Sequence, residues 1–151
     1  MPKIIVCIFS FVIMFSILGH AQTEEESVKA VINKMFTAMR NSDSKSLMEC
    51  FADSAILQSI AEKDGKISIT NEAVKDFAAF VATQPKGAAD ERITFDLVKT
   101  DAALATAWTP YQFYYNGKFS HCGVDSYQLV RINGQWKIQY LIDTRRKTGC
   151  Q

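Results

Sequence analysis

Residues 119–125 read FSHCGVD and bring a histidine, a cysteine and an aspartate into one short stretch. Four chemistries use these residue types: a base–nucleophile dyad, a metal site, a disulfide, or an acid set beside a pocket. Strand geometry separates them. Side chains alternate between faces and advance ~3.3 Å per residue, so His121 and Asp125 share a face but stand about 13 Å apart, too far to hydrogen-bond. His121 and Cys122 point to opposite faces and cannot share an ion. The other histidine, His20, falls in the leader described below, so no zinc set can be completed and no metal is expected. What remains is Asp125 beside a pocket and Cys122 with separate work.

The elements that position these residues are marked by periodicity. In SVKAVINKMFTAMR, Val28, Val31, Ile32, Met35, Phe36 and Met39 recur at helical spacing, which predicts an amphipathic helix. NSDSKSLMECFA predicts a second helix, capped by Ser42 or Asp43 and burying Leu47, Met48 and Phe51. Two short strands flank Asp64–Gly65. A third helix then begins at a Thr70 or Asn71 cap, turns Val74, Phe77, Ala78 and Val81 inward, and stops at Pro85–Gly87. From Ile93 the period becomes two, giving four strands joined at Asp101–Ala102, Asn116–Gly117 and Asn133–Gly134. The Asn–Gly pairs are hairpin signals because both residues tolerate positive φ. Pro110, inside a long strand, marks a bulge or bend.

Two-residue turns fix a register. Asn133–Gly134 sets Trp136 against Arg131, Ile138 against Leu129, Tyr140 against Tyr127 and Ile142 against Asp125. Asn116–Gly117 sets Leu104 against Leu129, Thr106 against Tyr127 and Trp108 against Asp125. The apolar, aromatic face is assigned to the concave side, so Trp108, Asp125, Tyr127 and Tyr140 are expected together in a cavity. His121 is expected at its rim near Gln112 and Arg146. Arg146 either clamps an anionic ligand group there or is solvated, and the solvated reading is preferred. The opposite face is solvated or supports a homodimer.

Bulk properties bound the function. Lys3, an apolar run from Ile4 to Leu18, and Gly19 and Ala21 before a cut are the layout of a signal peptide. Residues 1–21 are therefore read as a leader, and 22–151 as a single exported domain, periplasmic or extracellular, with no stable membrane insertion after cleavage. The chain carries 17 basic and 16 acidic residues. Without Lys3 the two balance, which leaves no basic surplus to attract nucleic acid. Beyond the leader stand Cys50, Cys122 and Cys150. Export favours disulfides, and an odd count leaves one thiol over. Cys122 and Cys150, the second at an otherwise loose terminus, are assigned as the pair. Cys50, among the apolar residues of the second helix, is read as buried and free.

The element order resembles the nuclear transport factor 2-like superfamily, a cone-shaped α+β fold, over nearly all of 24–143. NGQWKI looks like that fold's last-strand signature. YNGKFSHCGVDSYQLV with WKIQYLIDTRRKTGC resembles the secreted bacterial family called "Putative lumazine-binding" over 108–150. The resemblance implies three helices packed on a strongly curved, antiparallel or mixed sheet, with a cavity at its open end. The superfamily includes isomerases, cyclases, dehydratases and non-catalytic binding or assembly domains, so the fold does not choose among them. Ketosteroid isomerase, within it, uses an aspartate base with a tyrosine and a protonated aspartate. The inward set here holds Asp125 with Tyr127 and Tyr140, and a second acid is missing. Aromatic neighbours would raise the pKa of Asp125 and suit it to proton transfer. The plainer reading, an Asp125 that accepts hydrogen bonds and organises the pocket, is preferred. The sequence thus points to a cofactor-free domain binding a small, partly aromatic molecule. The alternatives are an isomerase or dehydratase-like lyase with Asp125 as base, and a dimeric assembly module without ligand.

Overall fold

The computed structural model describes residues 24–150; the leader and its cleavage site lie outside them. Helix α1 (24–40) buries Val28, Ile32, Met35 and Met39, the stripe its periodicity demands. It ends in a left-handed Ser42 (φ 59°). Asp43 N donates to Ala38 O (2.9 Å) and Ser42 N to Met39 O (3.1 Å), the paired bonds of a Schellman stop. Asp43 then caps the next helix, its carboxylate accepting from Ser46 N (3.0 Å). That helix, α2, runs only Ser44–Met48. Leu47 is buried but Met48 is half exposed, and Phe51 is buried as the first residue of a strand rather than as part of the helix.

Strands β1 (Phe51–Lys63) and β2 (Lys66–Glu72) form a hairpin about Asp64 and Gly65, both at positive φ. Thr70 and Asn71 belong to β2, so neither caps the third helix. That helix, α3 (Val74–Thr83), starts at Ala73 with no side-chain cap and buries Ala78 and Val81. It lies between the first hairpin and the remaining strands. The strand expected from Ile93 splits into β3 (Ala89–Ile93) and β4 (Leu97–Asp101). Strands β5 (Leu104–Tyr115), β6 (Lys118–Ile132) and β7 (Gln135–Arg145) follow. The sheet order is β2-β1-β7-β6-β5-β3, with β4 also on β5. β1 and β7 are parallel and the other pairs antiparallel, so the sheet is mixed.

Pro110 makes no bulge: it pairs in register with Val124. It sits where β5 passes from β3 to β4, and Thr94 N donates to Pro110 O (3.0 Å). A strand residue points its N and O to the same side, so the missing N–H falls in the gap between two partner strands.

The register slips lie elsewhere. On β7, Ile138 opposes Leu129 and Tyr140 opposes Gln128, leaving Gln139 as an extra residue. On β6, Phe119 opposes Tyr114 and His121 opposes Phe113, leaving Ser120 as an extra residue. A third irregularity on β1 falls between Phe51 and Ile56. Each bulge bends its strand and raises local twist, which curves the sheet about α1. Tyr127, Leu129 and Ile138 on the inner face are fully buried against Ile32 and Met35. The far end of α1 is held by Glu24, which accepts from Trp136 Nε1 (3.1 Å) and pairs with Arg131 (2.7 Å).

Candidate functional site

Beyond the packed end of the core, the curved sheet separates from α1 and α3 and leaves a cavity of about 300 Å³. Its walls are Met35, Phe36 and Met39 from α1, Phe77 and Phe80 from α3, Phe113 from β5 and Leu141 from β7. Phe80, 47 % exposed, marks the mouth. The floor is polar, and five strands build it: β1, β3, β5, β6 and β7.

Alternation along β6 turns Asp125 and Tyr127 inward, 3 % and 0 % exposed. Asp125 Oδ2 accepts from Tyr127 OH and from Thr109 Oγ1, both at 3.1 Å. Glu91 projects from β3 into the same cavity, and two facing carboxyls hydrogen-bond only when one of them holds a proton. Burial, and then the charge of Asp143, push Asp125 up to about 7. Burial and the neighbouring acids likewise drive Glu91 well above the carboxylate range.

Asp143, from β7, stands on the same floor and is buried. Its Oδ1 accepts from Ser59 Oγ, and its Oδ2 from Tyr111 OH (3.2 Å) and Arg145 Nε (2.8 Å). Tyr111 OH also lies 3.0 Å from Thr144 O. Burial and the nearby carboxylates raise both Tyr111 and Tyr127, so both are neutral donors. Gly123 is what allows the Thr144 carbonyl so close: a Cβ there would stand 1.7 Å from that oxygen.

The residues singled out from the sequence divide between the two faces. Asp125, Tyr127 and His121 face the cavity. His121 packs on Phe113 (centroids 5.0 Å apart) and edge-on to Tyr111 (5.7 Å). Burial, then the charge of Arg145, lower its pKa, which favours a neutral imidazole. Trp108 pairs with Ser126 on the opposite face and is 46 % exposed. Tyr140 is also turned outward, donating to Gln58 Oε1 (2.6 Å). Gln112 opposes Cys122 and accepts from Tyr114 OH (2.8 Å). Arg146 bridges to Cys122 and donates to Gly149 O (3.3 Å), away from this cavity. These four corrections have one cause. An extra residue on a strand reverses its face relative to its neighbour. Ser120 sets Trp108 and Gln112 outside; Gln139 exchanges Tyr140 for Leu141 and Arg146 for Arg145.

Cys122 and Cys150 are joined, with Cα atoms 5.8 Å apart. Cys50 is free and buried, its thiol raised by burial.

Sequence reasoning passed over Glu91, Asp143, Arg145 and Tyr111. Glu91 carried a faint signal. In ADERI, Ala89, Glu91 and Ile93 alternate with charged residues, although three charged residues in a row, Asp90 to Arg92, do not read as a strand.

The family described as "Putative lumazine-binding" matches residues 23–140. The chain belongs to this family. Among solved structures, it is similar to an NTF2-like protein of unknown function from Shewanella baltica. That similarity has 13 % identity, 83 % of this chain and 96 % of that one covered, and a TM-score of 0.65. It is also similar to a domain of unknown function with a cystatin-like fold from Nostoc punctiforme, at 20 % identity, 84 % and 80 % coverage and a TM-score of 0.64. The chain therefore has the nuclear transport factor 2-like fold; at these identities the likeness carries the fold alone. No curated protein matches the sequence.

Proposed function

We propose that this chain is an exported domain that binds a small, partly aromatic molecule in the cone cavity, without catalysis. The observation that carries the reading is the cavity itself: about 300 Å³, walled by phenylalanine and methionine over a polar floor. That is the composition and lower size range of small-molecule sites. The name of the family supports the same class of ligand, a flat heterocycle such as lumazine. Export is supported by the Cys122–Cys150 bridge, since such bonds persist in oxidising compartments.

A second reading has an observation of its own. Asp125 stands in the cavity with Glu91, accepts from Tyr127, and is pushed up to about 7 by burial and the charge of Asp143. An acid with that poise could move a proton on a bound substrate at neutral pH. Asp125→Asn separates the two. If the pocket only binds, the molecule that co-purifies with the wild-type protein is recovered unchanged after prolonged incubation with either protein. Turnover by the wild-type protein that Asp125→Asn abolishes would replace binding by acid–base catalysis.

A further inference from the structure

The hydroxyls of the cavity floor have no proton left to offer. Tyr127 and Thr109 donate to Asp125; Ser59 and Tyr111 donate to Asp143. The guanidinium at the site, Arg145, is held on Asp143 by its Nε (2.8 Å) and its side chain is half exposed. That pair neutralises itself. Glu91 and Asp125 remain, an acceptor-rich pair, with Glu72 a further carboxyl on the lining. The same lining carries aromatic rings: Phe36 and Phe77 from the helices, and Phe113, which neighbours Glu91 across the β3–β5 pair.

Apart from the imidazole of His121 and the terminal nitrogens of Arg145, the floor offers acceptors, so it matches a molecule that brings N–H donors, and an excess of carboxyls over cations favours one that also brings positive charge. Aromatic faces hold organic cations through the ring quadrupole, and hydrogen bonds from a cation to a carboxylate are about twice as strong as neutral ones. Resting on the reading that this cavity binds a small molecule, we propose that its ligand is a small organic cation. It would be an amine or protonated nitrogen heterocycle, with its apolar body among the phenylalanines and its N–H groups on Glu91 and Asp125. A carboxylate ligand would instead meet Glu91 and the buried Asp125 and Asp143, with one cation already engaged.

Three probes of matched shape test this at pH 8: benzylammonium, benzyl alcohol and benzoate. Binding is followed by calorimetry and by the ¹³C-methyl signals of the protein. Met35 and Met39 line the cavity, whereas Met48 is half exposed on α2 outside it and serves as control. The expected result is benzylammonium bound at least tenfold more tightly than benzyl alcohol, no measurable benzoate binding, and shifts at Met35 and Met39 but not Met48. Glu91→Gln should erase the preference for benzylammonium over benzyl alcohol. Equal or tighter binding of the alcohol or of benzoate, with Met35 and Met39 still shifting, overturns the cationic class and leaves the cavity reading standing. Absence of any shift at Met35 and Met39 with all three probes overturns both.

Discussion

Asp125→Asn should make the protein more stable at neutral and alkaline pH. In the folded chain the carboxyl keeps its proton up to about 7, against 3.8 for the free group. Between those values the folded state binds more protons than the unfolded state, so stability falls as pH rises. The contribution of the protonated carboxyl is fully present below about pH 4 and lost as pH passes through 7. A shift of about three units at ~1.4 kcal/mol each puts the cost of ionising Asp125 near 4 kcal/mol. Asparagine reproduces the protonated form. Its carbonyl can accept from Thr109 and Tyr127 as Asp125 Oδ2 does at 3.1 Å, and its amide can donate to Glu91. Denaturant titrations at pH 5 and pH 8 measure the effect. The variant should gain roughly 2–4 kcal/mol at pH 8 and much less at pH 5. Glu91→Gln should act in the same direction, and the two together should gain less than their sum because each acid raises the cost of ionising the other. A variant that loses stability at pH 8, or that keeps the wild-type slope between pH 5 and 8, would refute the protonated Asp125.

Gly123→Ala should cost at least 1–3 kcal/mol, since a Cβ would stand 1.7 Å from the Thr144 carbonyl and the neighbouring strand must move; thermal melting reads it, and an unchanged Tm would mean that the close approach is absent. Cys150→Ser should lower stability by about 3–4 kcal/mol on the chain-entropy argument, the bridged residues being 28 apart. Unreduced peptide mapping should recover Cys122 joined to Cys150 and Cys50 as the thiol. Trp108→Ala should change stability by less than about 1 kcal/mol and leave cavity probe binding unaltered, because the ring lies half exposed on the outer face; lost binding would return Trp108 to the pocket.

Much of the fold can be read because its signals are local. The stripe on α1 and the two Asn–Gly turns need only neighbours in sequence to be interpreted, and they place the helix and the last three strands. Cys122 and Cys150 could be paired from compartment and position. Asp125, Tyr127 and His121 could be placed together because β6 carries no extra residue from His121 to Ile132. Its alternation therefore survives intact. The adjoining strands could not be placed the same way. Nothing in FSHC or KIQYL marks Ser120 or Gln139 as an extra residue, since neither is glycine or proline. A bulge is decided by the curvature that the whole sheet adopts about α1, which is tertiary information. Its consequence is that Asp143 and Arg145 replace Ile142 and Arg146 on the inner side. Glu91 was hidden for a different reason: its strand is short and polar, and pairing with β5 rather than intrinsic preference makes it a strand.

The most direct test of a ligand-binding cone is native mass spectrometry of the intact protein, purified without denaturation from the cells that make it. Wild-type protein should carry a discrete small-molecule excess that disappears on denaturation. Leu141→Trp, which places an indole in the cavity, should fold with a comparable Tm and carry none. A wild-type mass equal to the polypeptide alone, or an excess that Leu141→Trp retains, would contradict the assignment of the cavity as the binding site.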